Sequence, residues 1–141
     1  LRQYWLNGGF LMVDDFWGDY EWANFENQMR RVFPDRGWTE VPLSHEIFHC
    51  VYDLKERPQV PAIGAGVSGY STDRPGDPGS RQVHYREWRD DAGRMVVFAG
   101  HNTDLGDGWE REGENEHYFH EFSEKWAYPM GINIVTYAMS H

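Results

Sequence analysis

The sequence predicts a single α/β domain, and three observations carry that prediction. Short apolar runs of strand character alternate with longer stretches of helical periodicity. The 141 residues suit one core, and no composition shift divides them. No internal repeat suggests a solenoid or propeller.

Taken in chain order, "LRQYWLNGG" places Leu1, Tyr4 and Trp5 on one helical face, with Gly8 as a left-handed cap. No methionine or capping residue opens the chain, so this stretch reads as the end of a helix whose start has been cut. A signal peptide or upstream domain could have preceded it. "FLMV" is a continuous apolar run ending at Asp14-Asp15, the pattern of a strand buried on both faces of a parallel sheet. "EWANFENQMRRVF" sets Trp22, Phe25, Met29 and Phe33 at helical spacing and stops at Pro34. "WTEVPL" reads as a second strand, whereas "HEIFHCVYDL" is too short and too β-branched for a full helix. Residues 58 to 81 hold most of the prolines and many glycines and are expected to form a long functional or mobile loop. "HYREWRDDAGRMVVFAGH" predicts a hairpin turning at Asp91-Ala92-Gly93. The chain closes with helical "NEHYFHEFSEKWAY" and "PMGINIVTYAMSH", Pro129 standing as a first helical residue.

Composition excludes several functions. The formal net charge of −10 argues against nucleic acid or an anionic membrane as partner, since both require basic surface. No apolar run approaches the roughly 20 residues of a membrane span. Cys50 is the only cysteine, so no disulfide framework exists, and its apolar neighbours suit an inert core thiol. One cysteine fits the cytoplasm by default and leaves the periplasm open.

The stretch "HNTDLGDGWEREGENE" poses the functional question. Eight acids fall between residues 104 and 124 against one arginine, Arg111, and would repel one another unless neutralised. Asn102, Asp104, Asp107 and Glu110 could supply oxygens to a hard cation such as Ca²⁺ around the turn at Gly106. The plain alternative is a solvated acidic loop. The spacing is not that of an EF-hand, and zinc would prefer histidine or thiolate. His117 and His120 share a helical face, which an acidic amphipathic helix explains equally well.

In open α/β sheets ligands bind beyond the carboxyl ends of strands. Asp14-Asp15 and Gly100-His101 are expected at two such ends, with the acidic stretch beginning at the same rim. His101 could then act as general base on a metal-activated water, with Asp14 or Asp15 orienting that water or holding the metal. The aspartates could instead cap the helix beginning near Tyr20. Trp17, Trp22 and Trp109 could wall an apolar substrate pocket or simply fill the core. No Gly-x-Ser-x-Gly elbow or phosphate-binding Gly loop is present.

Long motifs carry a family resemblance: "LRQYWLNGGFLMVDDFWG", "EWANFENQMRRVFPDR", "PQVPAI", "GHNTDLGDGWEREGENE" and "YPMGINIVTYAM". They resemble the bacterial "domain of unknown function 4159" family over nearly the whole chain, and family members extend further at the N-terminus. That family is in turn similar to the class I glutamine amidotransferase-like superfamily, whose trehalose-utilisation-like branch is nearest. The resemblance implies a flavodoxin-like sandwich with a mainly parallel sheet lacking its N-terminal strands. Asp14 and Asp15 occupy the place where such amidotransferases keep a nucleophilic cysteine, so thiol-dependent chemistry is not expected.

Together these readings predict a divalent-cation-dependent hydrolase, Ca²⁺ favoured, acting on a small neutral ester or lactone. The competing expectation is a non-catalytic binding or assembly module. Missing N-terminal strands would leave an unpaired sheet edge, so a homo-oligomer joined there is expected.

Overall fold

A computed structural model describes all residues from Leu1 to His141. The chain forms a four-stranded mixed sheet in the order β1-β4-β3-β2, where β1 is Leu11–Val13, β2 Thr39–Glu40, β3 His84–Arg89 and β4 Met95–His101. Helices α1 (Arg2–Leu6) and α2 (Gly18–Val32) lie in the first half of the chain, and α3 (Ile63–Val67) follows β2. After β4 come α4 (Leu105–Glu110), α5 (Glu116–Tyr118), a π-helical stretch (Phe119–Ala127) and α6 (Tyr128–Ser140). No helix is long and apolar enough to cross a membrane.

The sheet is not mainly parallel. β1 runs parallel to β4, but β3 is antiparallel to both β4 and β2. The reason is local: Asp90 accepts from the backbone N–H of Ala92 and Arg94, and Gly93 takes a φ of +83°. That tight turn folds β3 directly back on β4. β4 is the central strand and is buried throughout, whereas β1 is an edge and only half-buried. The continuous apolar run of β1 therefore reflects packing from above and below without a second strand neighbour.

Each sheet face carries its own core. On one face Trp5, Trp22, Met29, Phe33 and Trp88 pack with Val97 and Ala99. On the other, Tyr85, Phe98, Leu105, Tyr118, Met130 and Ile134 pack together. The helical spacing read from α2 is realised: Trp22, Met29 and Phe33 are buried, and Phe33 ends the helix before Pro34.

Two segments differ from their sequence expectation. The Gly/Pro-rich stretch 58 to 81 is not one open loop, because it folds α3 and a 3₁₀ turn at Pro78–Ser80. The final two helices are one continuous helical run with a π-helical centre, and Pro129 is accommodated within it near the start of α6. Asn133 in α6 is fully buried. Its Oδ1 accepts from the backbone N–H of Val51 and Tyr52 at 3.1 and 2.8 Å, and its Nδ2 donates to the Tyr52 carbonyl at 2.8 Å. This docks the irregular segment after β2 onto α6.

Candidate cation centre

The expected convergence at the strand ends is present. β1 and β4 are neighbours, and both are terminated by a residue in the left-handed backbone region: Asp15 at φ +59° and Asn102 at φ +63°. These turns are stitched together, since Asp15 N–H donates to the Thr103 carbonyl and Asn102 N–H donates to the Phe16 carbonyl, each at 2.9 Å. Non-glycine residues adopt this backbone at a cost, and Asp and Asn tolerate it best.

The turns gather carboxylates. One oxygen each from Asp15, Asp73 and Asp104 lie within 4.8 Å of one another. Two oxygens bound to a single Ca²⁺ at 2.3–2.6 Å can be at most about 5 Å apart, so this spacing admits one hard cation. Asp104 is the N-cap of α4, its Oδ1 accepting from Asp107 N–H at 2.8 Å. Asp73 accepts from Ala62 N–H at 2.7 Å, which holds it against the start of α3. Asp15 is exposed and accepts from the indole N–H of Trp17 at 3.2 Å. Beside them, Asp14 Oδ2 accepts from Gly106 N–H at 3.0 Å.

The group is electrostatically loaded. Burial, with Asp15, Asp107 and Asp14 close by, pushes the Asp104 carboxyl up to about 7. Burial first and Asp15 second raise Asp73 as well, and burial raises Asp14. A bound cation would relieve all of these costs at once.

The sequence-predicted ligands separate. Asp104 belongs to the cluster. Asp107 accepts from Ile63 N–H at 2.8 Å and from Arg111 Nε at 3.3 Å, so both its oxygens are engaged. Glu110, the last residue of α4, is exposed. Asn102 is fully buried and spends its amide elsewhere. Its Oδ1 accepts from Gly18 N–H at 2.8 Å, while its Nδ2 donates to the carbonyls of Gly79 and Gln82 at 2.9 and 2.7 Å. It is a latch joining three segments. Asp73 was missed by sequence reasoning because it comes from the Gly/Pro-rich stretch, far from the acidic run. The only signal was that long segments of this kind carry function.

His101 lies on the opposite face of the sheet. Side chains alternate along β4, so an added Cβ at Gly100 would meet Asp14, whereas His101 stacks on Phe16 at 5.2 Å and packs against Trp22 at 5.4 Å. Arg86 donates to its Nδ1 at 2.9 Å, and its Nε2 donates to the Gly18 carbonyl at 3.0 Å. Burial, reinforced by Arg86, pushes its pKa down to about 4. Both nitrogens are occupied in the neutral ring, which makes the imidazole a structural piece and not a free base beside the carboxylates.

The three tryptophans do not wall one pocket. Trp17 is buried and reaches Asp15, while Trp22 packs in the α2 core beneath the guanidinium of Arg86 at 3.9 Å. Trp109 donates to the Ala127 carbonyl at 2.7 Å and lines an apolar hollow of about 340 Å³ with Tyr128, Ile132 and Val135. Neither aspartate at the end of β1 caps α2, whose N-cap residue Trp17 donates its backbone N–H to Glu21 Oε2 at 2.8 Å. Cys50 is half-buried, donates to the Asn133 carbonyl and has its thiol pushed up by burial, as an inert thiol should.

The model of the family described as Domain of unknown function (DUF4159) matches residues 1–139. The chain belongs to that family. No curated protein matches it.

Proposed function

We propose that this member of the family binds one hard divalent cation, Ca²⁺ favoured, through Asp15, Asp73 and Asp104, and uses it to hydrolyse a small neutral ester or lactone. The observation that supports the reading is the three carboxylate oxygens within 4.8 Å at the carboxyl ends of two parallel neighbours. The donors are all oxygen, which favours a hard ion over zinc. Such an ion lowers the pKa of bound water and polarises a carbonyl, so the protein needs no nucleophile of its own. Asp14, raised by burial and adjacent in sequence to Asp15, takes the proton-accepting role first expected of His101. The negative surroundings disfavour anionic substrates and leave neutral esters and lactones. A flavodoxin-like ancestry agrees with this reading, since Asp14-Asp15 close a strand that leads into α2.

The thermal midpoint of chelator-stripped protein tests the cation. Saturation at 100 times the dissociation constant adds about 2.7 kcal/mol, a shift of several degrees. The shift should vanish in Asp73→Asn and Asp104→Asn and persist in Glu110→Gln. An unchanged midpoint with every ion, or a shift that survives Asp73→Asn, sinks the site. Turnover of an ester and lactone panel should then be lost with chelator and in Asp14→Asn.

A second reading, a non-catalytic binding or assembly module, draws on a different observation. The apolar hollow at Trp109 shares no residue with the carboxylates, and the outer edge of β1 is unpaired. Cation binding without turnover would favour it, as would self-association in sedimentation that a proline at Met12 removes.

A further inference from the structure

The chain is acidic overall, yet its unneutralised cations are not scattered evenly. Of thirteen Lys and Arg side chains, ten lie within ion-pair distance of a carboxylate. Arg31, Arg81 and Lys125 do not. Arg31 is on α2 and donates to Gln28. The other two each lie near Trp126. Arg81 lines a hollow of about 420 Å³ whose apolar walls are Trp126 and Val83, and Lys125 Nζ lies 5.1 Å from the centroid of the Trp126 ring.

The same hollow contains Arg57, which is pinned before any ligand arrives. Its Nη2 donates to the Val41 carbonyl at 2.8 Å, its Nη1 lies 3.6 Å from Glu40, and its Nε is buried without a partner. Gln59 is likewise fixed, donating to the Asn102 carbonyl at 3.0 Å. Glu56 stands in the lining against the two arginines. The hollow is thus cationic by a small margin, walled on one side by a single indole, and within the roughly 300–1,000 Å³ of small-molecule sites.

We propose that this hollow is a binding site for a small organic carboxylate or phosphate monoester with a planar body. Arg81 takes its carboxylate or phosphate, since a guanidinium fork matches such oxyanions and holds them by charge-assisted hydrogen bonds, and the fixed Arg57 adds its positive charge beside it. The indole of Trp126 takes the planar body. The free Arg81 head group is the expected anchor because its pairing with a ligand breaks no existing ion pair.

The test is titration calorimetry at low ionic strength with benzoate, phenyl phosphate and inorganic phosphate as probes. Chelator is present throughout, so no cation can bridge and the outcome is independent of the aspartate centre. Benzoate or phenyl phosphate should saturate the protein with one-to-one stoichiometry, and inorganic phosphate should bind about tenfold more weakly or worse. Arg81→Gln should weaken the bound probe by about tenfold, the equivalent of one charge-assisted hydrogen bond. Arg31→Gln, which removes the same charge elsewhere, should leave it unchanged. Arg81 is exposed, so its variant is expected to keep the wild-type melting curve. The proposal is overturned if neither organic probe saturates below about 20 mM, or if Arg81→Gln and Arg31→Gln weaken binding equally. Equal affinity for inorganic and phenyl phosphate overturns the role of the indole.

Discussion

Gly100 and His101 are adjacent in the chain and open onto two different chemistries. On the Asp14 side of the sheet, carboxylates crowd together and are raised by burial. On the His101 side, an imidazole, a guanidinium and an aromatic cluster satisfy one another. One region is left charged and uncomfortable, and the other is nearly closed, with Arg86 Nε left without a hydrogen-bond partner. A site that must take a ligand has unspent interactions, whereas a core spends most of them.

The largest effect expected from breaking this contrast is at the latch that holds both regions in place. Asn102→Ala should cost about 3–5 kcal/mol, because Gly18 N–H and the carbonyls of Gly79 and Gln82 all lose a buried partner. Urea denaturation measures it. A loss under about 1 kcal/mol would mean that water replaces the amide and that the latch is unimportant.

A pH series on chelated protein sharpens the comparison, because the two regions pull in opposite directions. Asp104 rises to about 7 on folding, so its contribution is present below pH 4 and is lost as pH climbs toward 7. His101 falls to about 4, so its contribution is present above pH 6.5 and is lost as pH falls toward 4. Each effect is on the order of 2–4 kcal/mol, and the raised Asp14 and Asp73 act in the same direction as Asp104, so each variant is compared with the wild-type profile. Relative to that profile, Asp104→Asn should make stability climb from pH 4 to 6.5, and His101→Gln should make it decline over the same range. Parallel profiles for both variants would contradict the opposed environments.

The smallest change in stability is expected at Asp15→Gly. Glycine accepts the left-handed backbone without strain, which offsets the entropy it adds to the unfolded chain, so the net change should stay within about 1 kcal/mol. The same substitution should abolish the cation-induced shift in midpoint. If stability collapses instead, Asp15 is there for the turn and not for a ligand.

Much of this architecture was legible in the sequence, and the losses have identifiable causes. α2 and the β3–β4 hairpin follow from helical spacing and from Asp91-Ala92-Gly93, signals confined to a few neighbouring residues. The meeting of Asp14-Asp15 with the end of β4 was also readable, because strand ends are marked by apolar runs. The mixed sheet was misjudged because a short apolar run looks the same in a central strand and in an edge strand covered on both faces. The period-two alternation that sends His101 away from Asp14 requires an accurate strand register, which one residue can reverse. Asp73 joins Asp15 and Asp104 across long separations of chain, and no local pattern reports such a meeting.

The π-helical stretch Phe119–Ala127 has a consequence for how this chain can change length. It works as a phase adjuster: its wide turns decide which way every residue downstream points. Adding a single residue there would rotate α6 by about 100°, the angle between successive residues of an α-helix. Asn133 would swing away from Val51 and Tyr52, and the exposed side chains of Ile132 and Val135 would turn toward the interior. A stretch that carries exposed His120 and Glu124 is therefore intolerant of insertion. Its exposed positions are free to drift in composition, but its count is not.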